Sequence, residues 1–325
     1  MWIQRCFSRN TIMQDPARIL LTVLPAAVFF LICGTAGADV QQGATDPCAQ
    51  TSTAALTACQ SQTSAAFWLA KGKCHNLSDP AGKEQCLQTA DDELASALEL
   101  CQEQFVARNE VCAELGGGAY DPEIDPEDFV QNVQGNSYFP LTPNTVLTYE
   151  SDSERIVVRV TNKTKKILGI TCRVVRDTVT DKETGKLVED TVDWLAQDTD
   201  GNVWYFGEIS QEFDEQGELV SLQGSWKAGV NGAKPGIIME AKPKKGDVYR
   251  QEFLLGEAED LARVSGIGRT VTVPAGTYNN CLKTEDFTPF DPGLKERKFY
   301  APGVGLVLTI DPDGTREELV TVAQE

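Results

Sequence analysis

The 325-residue sequence has one histidine, His75, and no Cys-x-x-Cys pair. Metal sites and acid–base sites are built from several convergent groups. A single histidine argues against His-based triads, and the missing Cys-x-x-Cys pair weakens a zinc reading. There is no Gly-x-Ser-x-Gly elbow and no Gly-rich phosphate loop, which removes common hydrolase and nucleotide signatures. Basic residues are few, with 29 Lys and Arg against 48 Asp and Glu. Such a chain repels nucleic acid and anionic membrane surfaces. Past residue 38 no run is apolar enough to span a bilayer.

The first 38 residues read as a secretory signal peptide. Arg5, Arg9 and Arg18 form a positive segment, Ile19 to Cys33 is nearly all apolar, and Ala36-Gly37-Ala38 is a cleavage site. A lipid on Cys33 would need a small residue before it, and Ile32 stands there. Losing residues 1–38 takes away three Arg and one Asp and leaves a net charge of −21. Eight cysteines remain in an exported chain, which points to disulfides. The expected location is secreted or periplasmic, with no transmembrane segment in the mature chain.

Six of those cysteines are Cys48, Cys59, Cys74, Cys86, Cys101 and Cys112, with gaps of 11, 15, 12, 15 and 11. The gaps are a palindrome. It predicts an α-helical hairpin with nested bonds Cys48–Cys112, Cys59–Cys101 and Cys74–Cys86. A gap of 11 leaves only about 20° of residual rotation on a helix, so each set of three stays on one stripe. Asp46-Pro47 and Asp79-Pro80 are helix starts, and Gly116-Gly117-Gly118 is a stop. Ala55, Leu56, Phe67, Trp68, Leu94, Leu98 and Phe105 are expected to fill the seam. His75 falls at the tip, where a solvated turn residue is a simpler reading than a metal ligand.

The domain plan is a signal peptide over 1–38, a stapled helical hairpin over 39–118, a Pro/Asp-rich connector over 119–144 and an antiparallel β domain over 145–325. The fold class is α+β. In the last part the pattern has period two, as in Arg155–Val160, Thr171–Val179, Val192–Ala196, Val203–Phe206, Val248–Leu255, Thr270–Val273 and Gly305–Ile310. Turn signals separate the runs, among them Asn162-Lys163, Asp200-Gly201, Asn231-Gly232 and Asp313-Gly314. Many short strands imply a curved sheet or open barrel. One helical turn is expected at 256–262, and Gly224 to Met239 reads as a loop over one end of the sheet. Cys172 and Cys281, both on expected strands, are the natural remaining disulfide pair.

Several stretches resemble an uncharacterised family of secreted bacterial proteins. They include Tyr120-Asp121-Pro122, Asp200-Gly201-Asn202-Val203-Trp204-Tyr205-Phe206-Gly207-Glu208, Val273-Pro274-Ala275-Gly276-Thr277-Tyr278 and Tyr300-Ala301-Pro302-Gly303-Val304-Gly305-Leu306-Val307. The resemblance spans about 119–322. It implies an extracytoplasmic protein and brings no reaction, substrate or site.

Two candidate sites emerge from the residues themselves. Asp198, Asp200 and Asn202 cluster as hard-cation ligands do, so calcium is the one cofactor weighed. A hairpin turn explains them more simply, since strands flank them and Ala196 stands where an EF-hand loop needs an oxygen ligand. Trp194, Trp204, Phe206 and Trp226, with Tyr205, could line a wall for an apolar or sugar-like ligand; a plain sheet core is the competing reading. Glu208, Glu252, Glu257, Glu259 and Asp260 could supply a carboxylate pair, but nothing in their spacing fixes a separation. No catalytic residue is assigned. The leading expectation is a non-catalytic module that binds a small ligand or an envelope partner. A carboxylate-based hydrolase and a purely structural envelope component are the alternatives.

Overall fold

The computed structural model describes residues 46–325, so the signal-peptide reading lies outside the described residues. Two helices come first, α1 over Pro47–His75 and α2 over Pro80–Leu115. Each begins on an Asp-Pro pair. The Asp46 carboxylate accepts from the Cys48 N–H at 2.9 Å, and that of Asp79 from the Gly82 N–H at 2.7 Å. These caps satisfy donors that the first turn leaves without a partner. Three disulfides join the helices: Cys48–Cys112, Cys59–Cys101 and Cys74–Cys86, with Cα atoms 5.6, 5.8 and 5.5 Å apart. The seam is thinner than its apolar residues suggest. Trp68 is 68% exposed, and Leu56, Leu94, Leu98 and Phe105 are only half-buried. Two helices share a single contact face, and Trp68 sits a full 100° step around from its neighbour Phe67. Among the described residues no helix is long and apolar enough to cross a membrane.

The connector packs onto the sheet. Asp125 caps a short 3-10 turn, Pro126–Asp128. Phe129, Val133, Phe139 and Leu141 are buried in the core. The Asn136 side-chain amide donates to the carbonyls of Gly201, Met239 and Glu240, each at 3.2 Å. One side chain thereby ties the connector to two separate segments of the β domain.

Fifteen strands complete the chain. They are β1 Thr145–Glu150, β2 Glu154–Ile167, β3 Ile170–Asp181, β4 Leu187–Gln197, β5 Val203–Phe213, β6 Leu219–Ser221, β7 Trp226–Lys227 and β8 Lys234–Met239. Then come β9 Val248–Arg250, β10 Glu252–Phe253, β11 Leu261–Val273, β12 Gly276–Phe287, β13 Glu296–Ala301, β14 Gly305–Ile310 and β15 Arg316–Gln324. All named pairings are antiparallel. The order is β10-β8-β5-β4-β3-β2-β1-β15-β14-β13-β12-β11-β9, with β6 and β7 also on β5. The two ends of that order, β9 and β10, are separated in sequence by Gln251 alone. The chain therefore brings its own sheet edges together, and the sheet is nearly closed like a barrel. Gly236 sits on this seam: a Cβ there would lie 2.4 Å from the Gln251 carbonyl carbon and 2.5 Å from the Arg250 oxygen. Only a residue without a side chain lets the edges meet so closely.

Five expectations change. Cys172 and Cys281 are free and buried. They lie on β3 and β12, six places apart in the strand order, so strand pairing does not bring them together. Each takes an apolar core position instead. The stretch from Gly224 to Met239 belongs to the sheet rather than lying over it, because β7 and β8 both pair with β5, with a turn at Asn231-Gly232 between them. Residues 256–262 form a turn closed by a Leu254–Ala258 bridge, continued by the start of β11, and no helix. Asn162-Lys163 lies inside β2 at a register shift, and the turn falls at Leu168-Gly169. Val248–Leu255 splits into β9 and β10.

The hairpin docks on the sheet through α2. Arg108 makes a bidentate ion pair with Glu259, at 2.8 Å from Nη2 to Oε1 and 3.0 Å from Nε to Oε2, and both groups are buried. Gln104 donates to the Phe290 carbonyl at 3.0 Å, and Arg263 pairs with Glu114 at 2.6 Å.

Candidate functional site

Alternation on the strands puts every second side chain inside the curved sheet. On β4 the inward residues are Glu189, Thr191 and Asp193, all buried, while Asp190 and Val192 between them are only partly covered. Asp193 stands opposite Glu208 of β5, Thr191 opposite Ser210, and Glu189 opposite Glu212. On the other side of β4, Asp177 of β3 stands opposite Thr191. Residues chosen for a dry core would be apolar at these places. Here the inward face of three adjacent strands is acidic.

Local geometry fixes how this face is arranged. The β4–β5 register shifts between Asp193 and Leu195, and Gly207 takes φ +126° at that point. A Cβ on Gly207 would lie 2.3 Å from the Trp226 oxygen, so the glycine is what allows β7 to approach β5. Trp226 then pairs with Glu208 across the strands. Its ring meets Tyr205 edge-on, with centroids 5.3 Å apart. The Tyr205 hydroxyl donates to Asp193 Oδ1 at 2.8 Å, and the Thr191 hydroxyl to Glu189 Oε1 at 2.8 Å. Asp193 Oδ2 and Trp226 Nε1 are buried with no hydrogen-bond partner. Trp226 lines a cavity of about 310 Å³ together with Lys165, Trp194, Glu208, Lys227 and Leu254 among others.

Burial governs the electrostatics. It pushes the Glu208 carboxyl up to about 8, and neighbouring Asp193 and Glu189 push the same way. Burial also raises Asp193, helped by Glu189 and opposed by the Tyr205 hydrogen bond. The Tyr205 hydroxyl is held well above its usual range by burial and by the acids around it. A carboxyl kept neutral in this way donates as well as accepts.

A second inward polar group lies on β12 and β13. Lys298 is buried at 3.1 Å from Asp286 Oδ2 and 2.8 Å from Glu296 Oε2. Burial raises Asp286, and raises Asp260 nearby to about 7. This group carries its own cation, whereas none of the inward positions named on β3, β4 and β5 is basic.

The structure sorts the residues singled out from sequence. Trp194 and Trp226 share the cavity, and Lys165 Nζ sits 3.4 Å from the Trp194 ring centroid. Trp204 and Phe206 do not join them. Both pack edge-on against Phe129 of the connector, at 5.9 and 5.7 Å. Asp198 accepts at 2.7 Å from the Asn202 N–H, at 2.7 Å from the Asn202 side-chain amide and at 2.8 Å from the Trp204 indole. Asn202 Oδ1 accepts from the Ala241 N–H at 2.9 Å. The geometry is that of a braced turn. Asp200 lies at its tip. Among the described residues no three His, Cys, Asp or Glu side chains converge as a metal site does. Of the five carboxylates weighed for a pair, Glu259 holds the hairpin and Glu257 is exposed, while Glu208 faces inward beside Trp226. Exposed His75 stands apart from all of these.

Sequence reasoning missed Glu189, Thr191 and Asp193. The signal was present as Glu189-x-Thr191-x-Asp193 and Glu208-x-Ser210, polar residues at period two. It reads as an outward face until the register shows which side is inside.

No protein-family model and no curated protein matches the chain. One solved structure, of a protein from Parabacteroides distasonis described as a candidate lipoprotein, aligns over 58% of this chain and 99% of its own. The identity is 13% and the TM-score 0.32, a likeness too slight to carry an argument.

Proposed function

We propose that the protein is a non-catalytic binding module which holds a small ligand inside its curved sheet. One observation carries the reading. Trp226 Nε1, a donor, is buried without a partner on the wall of a cavity that Trp194 and Glu208 also line. Leaving such a group unsatisfied costs about 1–3 kcal/mol, and a ligand that offered it an acceptor would recover that cost. Trp194 and Trp226 supply aromatic surface of the kind that small-molecule sites use. The three disulfides and the expected signal peptide support an extracytoplasmic location. The hairpin serves as a stapled arm on this module, fixed at its base by Arg108 and Glu259.

Native mass spectrometry of the exported protein tests the reading. A co-purified mass, lost from Trp226→Phe, is expected. A chain that carries no ligand and binds none in a screen of charged and neutral small molecules would refute it. The carboxylate-hydrolase reading also has an observation in its favour. Asp193 and Glu208 are directly opposed, which places their Cβ atoms roughly 4.5–5.5 Å apart. Retaining glycosidases work with carboxyl groups about 5–5.5 Å apart. Turnover of chromogenic glycosides that disappears in Glu208→Gln would move the assignment to hydrolysis.

A further inference from the structure

Acidic residues outnumber basic ones by 48 to 29 in this chain. A place where basic charge gathers without acid to balance it is therefore informative. The wall of the cavity beside Trp226 is such a place. Strand β2 brings Lys165 to it, half-buried, and β7 brings Lys227, exposed. Neither lysine is paired with a carboxylate among the described residues. Lys165 Nζ lies 3.4 Å from the Trp194 ring centroid, which holds the ammonium group in place without neutralising it. Burial, and after it the like charge of Lys227, push Lys165 below its ordinary range, against an opposing effect of Cys172. The two cations thus stand close enough to feel each other. Glu208 is the one carboxyl on this wall, and burial raises it to about 8. At neutral pH it is mostly protonated and offers the lysines little counter-charge.

The rest of the wall narrows the choice of ligand. Trp226 is 4% exposed, and its Nε1–H has no acceptor. An indole N–H only donates, so whatever completes it must bring a lone pair. Two ammonium groups and one N–H call for oxygens that carry negative charge. Ile209 and Val230 are each 42% exposed on the same wall, with Leu254 beside them. An amine would be repelled by the lysines. A neutral sugar would serve Trp226 and leave both lysines uncompensated. A bare inorganic anion would leave the apolar side chains in water. A volume of about 310 Å³ is at the lower end for small-molecule sites and suits a compact body rather than a long chain.

We propose that this cavity binds a small organic carboxylate with a compact apolar body. The carboxylate accepts from Lys165, Lys227 and Trp226 Nε1, and the body packs among Ile209, Val230 and Leu254. The assignment rests on the binding reading above and names its ligand class.

Isothermal titration with naphthalene-2-carboxylate and with the neutral naphthalene-2-carboxamide tests it, since the two share a shape and differ in charge. The carboxylate should bind, and the amide should bind at least about tenfold more weakly. The double variant Lys165→Gln/Lys227→Gln should lose about tenfold or more for the carboxylate and leave the amide unchanged. Trp226→Phe removes the N–H, with an expected loss of about tenfold, and circular dichroism checks that each variant is folded. Lys166→Gln, exposed and one residue along β2 on its other face, should leave affinity unchanged. Equal binding of both probes would overturn the anionic assignment while leaving cavity binding in place. A loss in Lys166→Gln as large as in the double variant would overturn it as general attraction to basic residues. Absence of binding by either probe would overturn it too, and the co-purified mass would then decide the broader reading separately.

Discussion

Helix α1 buries Ser52, Ala55 and Cys74, and α2 adds Ala90, Cys101, Arg108, Val111 and Cys112. The sheet buries a continuous core from Phe129 to Leu319 that includes Tyr149, Tyr205, Phe206, Ile238 and Tyr300. Three disulfides hold the first region, whereas both cysteines of the second remain thiols. A two-helix unit cannot remove enough apolar surface from water, so it restricts the unfolded chain instead. A nearly closed sheet has surface to bury and no need of the bond. The contrast also explains where chemistry can reside. Only the sheet has enough apolar burial to carry several inward acids at a cost.

Reducing the three disulfides should break the comparison most visibly. The Cys48–Cys112 bond closes a loop of 64 residues and is worth about 4 kcal/mol in the chain-entropy model. Under reductant, hydrogen exchange should show α1 and the distal half of α2 losing protection while strands β2 to β5 keep theirs. Loss of protection in both regions together would mean that the sheet depends on the arm.

A smaller effect is expected at the joint. Arg108→Ala leaves Glu259 buried without its cation, which costs roughly 3–5 kcal/mol. Arg108→Met paired with Glu259→Leu should recover most of that loss, as measured by urea unfolding. If the double variant is as unstable as the single, the ion pair is not what fixes the arm.

The mildest perturbation is pH. Glu208 has a folded-state pKa near 8, above its ordinary value of 4.5. Folding therefore favours the protonated form, and its contribution is complete below about 4.5 and lost as pH rises through about 8. The midpoint of thermal unfolding should fall by a few degrees over that interval, in the absence of ligand. Asp260, raised to about 7, acts in the same direction. Glu208→Gln should flatten the slope in part, and an unchanged slope would remove Glu208 as its source.

Much of the hairpin was legible in the chain. Asp-Pro starts and a palindromic cysteine spacing act locally, through capping and the 100° helical step. Turn residues likewise marked some hairpins of the sheet, among them Asp200-Gly201 between β4 and β5 and Asp313-Gly314 between β14 and β15. Other features were hidden because they depend on partners distant in sequence. Gly236 looks like loop glycine until Gln251 lies against it. Val248–Leu255 looks like one strand until the two sheet edges claim its halves. Trp204 and Trp226 look alike, yet Phe129 covers one and a cavity borders the other.

By itself the sequence determined the helices, their three staples and the antiparallel character of the β domain, because those rest on periodicity and short-range geometry. Only the tertiary structure decided that Cys172 and Cys281 stay apart. It alone turned Glu189, Asp193 and Glu208 inward, because the side of a sheet that becomes the inside is set by register and closure, and a shift of one residue would have reversed it.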